Sequence, residues 1–141
     1  MRKFLLFSFL ISFALLAKEP KTYGNYKVKK LISVYDGDTF KVNVEKLPPI
    51  IGKEILIRIA GIDTPEIKTK NSQEKIMALE AKVFVEEKLK NAKEIMLVNI
   101  RRDKYFRILA DVFVDQENLG EELLKNNLAK PYFGKTKPTW P

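Results

Sequence analysis

From Tyr26 onward, apolar and polar residues alternate with a period of two. Tyr26, Val28, Ile32 and Val34 share one face, with Lys27 and Lys29 on the other, and the run ends at the turn dipeptide Asp36-Gly37. Phe40, Val42 and Val44 alternate with Lys41 and Asn43, a second strand. LPPIIG, residues 47–52, reads as a loop, because no central strand tolerates its prolines. Ile55, Ile57 and Ile59 alternate with Leu56 and Arg58 in a third strand that stops at Gly61. Over residues 74–91 the period changes. Met77, Ala81, Phe84, Val85 and Leu89 fall on one helical face, and Asn71 or Ser72 can cap the start. Two more strands follow, over 94–100 and 108–114. A short helix then runs from Leu119 to about Asn126, with Asn118 and Glu121 at capping-box spacing. The tail KPYFGKTKPTWP has little periodicity.

Three strands in succession joined by short turns favour an antiparallel meander. Five strands with a long helix between the third and fourth suit an α+β, mainly β, fold: a five-stranded OB-type barrel with one long and one or more short helices. A doubly wound sheet would need strands and helices to alternate, and here they do not.

The amino terminus stands apart from this pattern. Arg2 and Lys3 precede an apolar run from Phe4 to Ala17, the layout of a signal peptide. The run is shorter than the roughly 20 residues of a membrane span. Cleavage after Ala17 would leave Lys18 first, although Leu15 is large for the position two before the cut, so an uncleaved anchor is the alternative. The expected organisation is a signal segment over 1–17, a polar tether over 18–25 and one domain over 26–141. The product would be exported to a periplasm or to the medium, with membrane contact only through an uncleaved anchor.

Charge and missing residue types limit the chemistry. The 141 residues carry 26 basic and 18 acidic side chains, a net charge of +8. Without Arg2 and Lys3 the balance is 24 against 18, or +6. Such a balance suits an acidic partner such as nucleic acid, although a merely basic surface also explains it. There is no histidine and no cysteine. Histidine-based nucleophilic triads, histidine-ligated zinc and disulfides are therefore excluded. A base in this chain would be a carboxylate, or a water held by a hard cation.

Three charged stretches invite a functional reading. VYDGDTF places Asp36 and Asp38 around a glycine, which a hairpin turn also explains in part. RIAGIDTPE sets Arg58, Asp63 and Glu66 around Pro65, and a helix N-terminal region is the plainer alternative. RRDKYFRILA interleaves Arg101, Arg102, Lys104 and Arg107 with Tyr105 and Phe106, suited to phosphate and base contacts or to a solvated hairpin. Together, strand-end aspartates can hold a hard cation, a glutamate can activate water, and two arginines can clamp a phosphate.

DGDT at 36–39, RIAGIDTPE at 58–66 and DKYFRILA at 103–110 resemble, in order and spacing, the staphylococcal nuclease (thermonuclease) family. The resemblance spans about residues 26–133 and implies an OB-type barrel. It also implies a calcium-dependent endonuclease that cleaves DNA and RNA to 3′-phosphate products. On that resemblance Asp38, Asp63 and the Thr64 carbonyl would hold Ca2+. Glu66 would be the general base or the residue that orients the attacking water, and Arg58 and Arg107 would bind the scissile phosphate and stabilise the transition state. Lys104, Tyr105 and Tyr132 would contact substrate, and Asp36 would be structural. A monomer with no stable protein partner is expected. The other reading is a barrel that binds nucleic acid without cutting it; such domains typically lose the acids or arginines, which are all present here. The family usually has glycine where this chain has Phe106. If that turn needs positive φ, Phe106 would strain it by roughly 1 kcal/mol or more.

Overall fold

A computed structural model describes residues 18–141. The expected signal segment over 1–17 lies outside the described residues. Strands β1 (Tyr26–Val34), β2 (Thr39–Val44) and β3 (Ile55–Ile59) form the expected antiparallel meander. A two-residue strand, β4 (Ile62–Asp63), follows at once, and then the long helix α2 (Ser72–Lys90). Strand β5 (Ile95–Arg102) pairs antiparallel with both β1 and β6 (Ile108–Val114). The parallel pairing of β3 with β6 closes the five-stranded barrel. Short β7 (Glu117–Asn118) extends β6 and leads into α3 (Leu119–Lys125). β8 (Lys130–Pro131) then pairs with β4. The fold is the OB-type, α+β barrel that strand spacing predicts.

The core fills the barrel with Phe40, Val42, Ile57, Ile59, Leu97, Ala110 and Val112, and α2 and α3 cover it through Val85, Leu89, Leu119 and Leu123. Both helices begin on asparagine. Asn71 Oδ1 accepts from the amides of Gln73 and Glu74 at 2.9 and 3.1 Å, and Asn118 Oδ1 accepts from Glu121 at 3.1 Å. α2 buries Ala78, Ala81, Val85 and Leu89, while Met77 and Phe84 are half-buried.

Two expectations need correction. β1 does not keep one phase: its register against β2 shifts after Val28 and again after Leu31. A bulge turns the next side chain to the other face. Leu31 therefore joins the core and Ile32 becomes exposed, the reverse of simple alternation. The stretch 47–52 also contains one helical turn, α1 (Pro49–Gly52), because proline suits a first helical position as well as a loop.

Residues 18–25 form no helix or strand. Their end is nevertheless tied to the barrel, since Tyr23 N–H donates to the Ile100 carbonyl at 2.9 Å and Ile100 N–H donates to that of Gly24 at 3.0 Å. No described helix is long and apolar enough to cross a membrane.

Candidate active site

The β1–β2 turn and the β3–β4 junction meet at one end of the barrel. Gly37 makes the meeting close: a Cβ there would come within 2.8 Å of Ala81 Cβ and of Thr64 Cγ2. Gly61 adopts φ +77°, which lets β3 turn into β4. Asp38 and Asp63 are thereby buried side by side, 7% and 3% exposed. Asp38 Oδ2 accepts from Thr64 N–H at 3.2 Å, and Asp38 Oδ1 from the Thr39 hydroxyl at 2.8 Å.

Arg58 is buried with them, not turned to solvent. Its Nη2 lies 3.3 Å from Asp63 Oδ1 and 3.6 Å from Asp38 Oδ2, and its Nη1 donates to the Ile59 carbonyl. The Tyr132 ring packs 5.2 Å from the guanidinium carbon. Among the described residues, the buried polar and charged ones are Asp36, Asp38, Thr39, Arg58, Asp63 and Thr64. All come from the first two motifs, so every such burial falls at one place.

Burial governs the ionisation here. The Asp36 carboxyl is pushed up to about 7, first by desolvation and then by the charge of Asp38. Asp63 is also raised by burial, against the hydrogen bond from Trp140 and the charges of Lys137 and Arg58. Glu66 differs, with a side chain 61% exposed.

The basic motif forms the facing wall. Lys104 to Arg107 make a tight turn, with Arg107 N–H donating to the Lys104 carbonyl at 3.4 Å. Its two central residues, Tyr105 (φ 59°) and Phe106 (φ 60°), both adopt the left-handed conformation. That is the geometry of a type I′ hairpin turn, where Asn-Gly is the favoured pair. The strain expected at Phe106 is therefore present, and Tyr105 shares it. Both aromatic side chains are 85% exposed. Arg107 Nη2 pairs with Asp103 Oδ2 at 2.9 Å, while its Nε is buried without a hydrogen-bond partner.

A cleft of about 1090 Å³ joins the two walls. Asp36, Asp38, Arg58, Glu66, Lys104, Tyr105, Arg107 and Tyr132 line it, with Lys137 beside Glu66. Asp63 and Thr64 sit just behind, joined to that lining through Arg58 and Asp38. The structure thus brings the sequence-derived candidates together around one opening. Phe133, 82% exposed, stands on the rim beyond Tyr132. Sequence reading missed Asp103, Lys137 and Trp140. Asp103 was within reach as the one acid inside the basic motif RRDKYFR. Nothing local marked the other two.

The acids suit a hard cation. Asp38 and Asp63 offer carboxylate oxygens that converge on one guanidinium nitrogen, and the Thr64 hydroxyl oxygen is buried without a partner. Among the described residues no group of three or more acidic side chains forms a complete cage. A cation here would draw the rest of its shell from backbone oxygen and water, as small hard cations do.

These features define a class: a small OB-type barrel with buried acids and arginines across a basic cleft. Residues 56–139, more than half the chain, match the family described as "Staphylococcal nuclease homologue". The chain belongs to that family. Asp38 lies before the matched stretch. Similar proteins include an uncharacterised protein of Methanocaldococcus jannaschii, 30% identical, covering 94% of this chain and 83% of its own. A protein named Thermonuclease from Staphylococcus hyicus is 34% identical over 78% of this chain and 62% of its own. Endonuclease YncB of Bacillus subtilis is 38% identical over 72% and 49%. The chain thus spans less than two thirds of the two named nucleases.

Proposed function

We propose that this protein is a calcium-dependent nuclease that hydrolyses the phosphodiester bonds of DNA and RNA internally and leaves 3′-phosphate ends. One observation carries the reading. The fold buries four ionisable side chains, Asp36, Asp38, Arg58 and Asp63, at a single point on the cleft. Burying charge is costly, and a barrel of this size needs none of it for packing. Family membership and the names of the two nuclease relatives point the same way.

Asp38 and Asp63, with backbone oxygen from Thr64, are the residues that would hold the calcium. When bound, it supplies positive charge to offset that gathering on the phosphate oxygens. Glu66 is open to solvent and takes a proton from the attacking water. Arg58 and Arg107 donate N–H groups to the phosphate oxygens as phosphorus becomes five-coordinate. The bond to the 5′-oxygen then breaks, and that oxygen leaves as a 5′-hydroxyl with a proton from solvent water. Arg107 reaches substrate by exchanging Asp103 for a phosphate. Lys104 and Tyr105 contact the neighbouring nucleotide, and Tyr132 steadies Arg58 while offering an edge to a base.

The test incubates the purified protein with plasmid DNA and with RNA, in calcium or in a chelator. Cleavage in calcium alone, lost in Glu66→Ala, is expected. Binding without cleavage in calcium would instead make the protein a nucleic-acid-binding module. We also propose export, from the Arg2–Lys3 and Phe4–Ala17 pattern; the amino-terminal residue of the exported protein checks it, Lys18 being expected.

A further inference from the structure

The C-terminal tail returns to the acids that the proposed chemistry uses. It leaves the barrel at β8, where Lys130 sits opposite Asp63 in the β4–β8 pair. It turns at Gly134 (φ +83°) and comes back. Lys137 Nζ then donates to Glu66 Oε1 at 2.7 Å and lies 3.7 Å from Asp63 Oδ1. Trp140 Nε1 donates to Asp63 Oδ2 at 3.3 Å. Lys130 fastens the end of the loop: its Nζ donates to the Thr139 carbonyl at 2.6 Å and stands 4.6 Å from the Trp140 ring centre.

Both oxygens of Asp63 are therefore engaged. Oδ1 faces Arg58 and Lys137, and Oδ2 accepts from Trp140. One oxygen of Glu66, Oε1, is engaged as well. An exposed Lys–Glu pair alone would mean little. Here the same ammonium also reaches a carboxylate that is 3% exposed, and a second tail residue grips that carboxylate from its other oxygen. Asp38, Asp63 and Glu66 would repel one another without compensating charge. Lys137 adds a second positive charge at Asp63 Oδ1, beside Arg58, and extends it to Glu66, with which Arg58 makes no ion pair.

We propose that Lys137 is a tethered counter-cation: it pairs with these acids and competes with a divalent cation for them. The inference rests on the proposed assignment of Asp63 and Glu66. An ammonium and a divalent ion cannot share Asp63 Oδ1 without strong repulsion. Binding the ion releases Lys137, and Trp140 loses its acceptor with it. The tail then swings from a cleft that Lys137 and Gly134 help to line. The cation thereby both charges the site and widens it, and frees the Glu66 oxygen that Lys137 holds.

Trp140 is the single tryptophan of the chain, so its emission reports the tail directly. The experiment titrates calcium into the full chain without nucleic acid, following Trp140 emission and heat of binding in parallel. Wild type, Lys137→Met and Lys137→Arg are compared, with Asp63→Asn as the site control. Calcium should change Trp140 emission in wild type. Lys137→Met should bind calcium about tenfold more tightly, and Lys137→Arg, which keeps the charge, should stay near wild type. Unchanged or weaker affinity in Lys137→Met overturns the proposal. So does calcium binding that leaves Trp140 emission untouched. If wild type cleaves nucleic acid in calcium and Lys137→Met binds no tighter, only the tail proposal falls. If no variant binds calcium, it falls together with the functional reading.

Discussion

The acid wall and the basic turn face each other across one cleft, yet they are built by opposite means. Asp38, Arg58 and Asp63 are buried, cross-paired and held on or at the ends of strands that build the barrel. Tyr105 and Phe106 are exposed, touch little of the core and are bent into a backbone conformation that side chains resist. Charge on the first wall is part of the fold. Charge on the second is carried on top of it. Substitutions on the two walls should therefore separate activity from stability differently.

The arginines give the largest contrast. Arg58→Ala leaves Asp38 buried without an ion pair and Asp63 with Lys137 alone, so it should cost about 3 kcal/mol of stability as well as activity. Arg107→Ala removes a pair on a half-exposed turn and should cost under about 1 kcal/mol. Its turnover should still fall by about a hundredfold or more. Denaturant unfolding beside cleavage rates checks both. Equal losses of stability would end the distinction between the walls.

A smaller effect should come from Asp36. Its carboxyl is raised from 3.8 to about 7, so the folded state holds the proton more tightly than the unfolded chain does. Ionising it in place costs nothing below about pH 4. The cost grows between pH 4 and 7 and is complete above. Asp36→Asn keeps an acceptor for the Asp38 amide and avoids that cost. In chelator, it should gain on wild type across that window, by on the order of 2 kcal/mol at pH 8. Thermal melts at pH 4 and pH 8 measure it. A gap that shrinks as pH rises would contradict the burial argument.

The smallest effect is on the other wall and of opposite sign to most substitutions. Phe106→Gly should stabilise the protein by about 1 kcal/mol, since glycine adopts φ 60° freely. Its melting temperature should rise by a few degrees. A fall would mean that the Phe106 ring contributes more to the fold than its exposure suggests.

The same contrast explains how much could be read from the chain. The barrel strands and the long helix write their burial into a local period, so their positions and the three motifs at their ends were legible. The bulges in β1 were not, because Leu31 and Ile32 are both apolar and either could face inward. β4 and β8 are two residues long and exist only because the barrel brings them together. Phe106 was legible as an exception, through the glycine that usually stands there. Lys137 and Trp140 were not legible at all. They reach partners 71 and 77 positions away from a segment with no period of its own, so only the folded chain reveals them.

The parallel seam between β3 and β6 has a consequence for how the molecule folds. It pairs Ile57 with Ile108, roughly fifty residues later, whereas β1, β2 and β3 meet across short turns. Hairpins zip early, but a contact of that span must first overcome the entropy of closing a long loop. Arg58 stands on this seam, opposite Leu109, and Ala60 N–H completes it by donating to the Ala110 carbonyl at 2.8 Å. The two walls therefore come into register only once a pairing of long span has formed. A chain that has formed its meander but not its seam has all the residues of the cleft and no cleft.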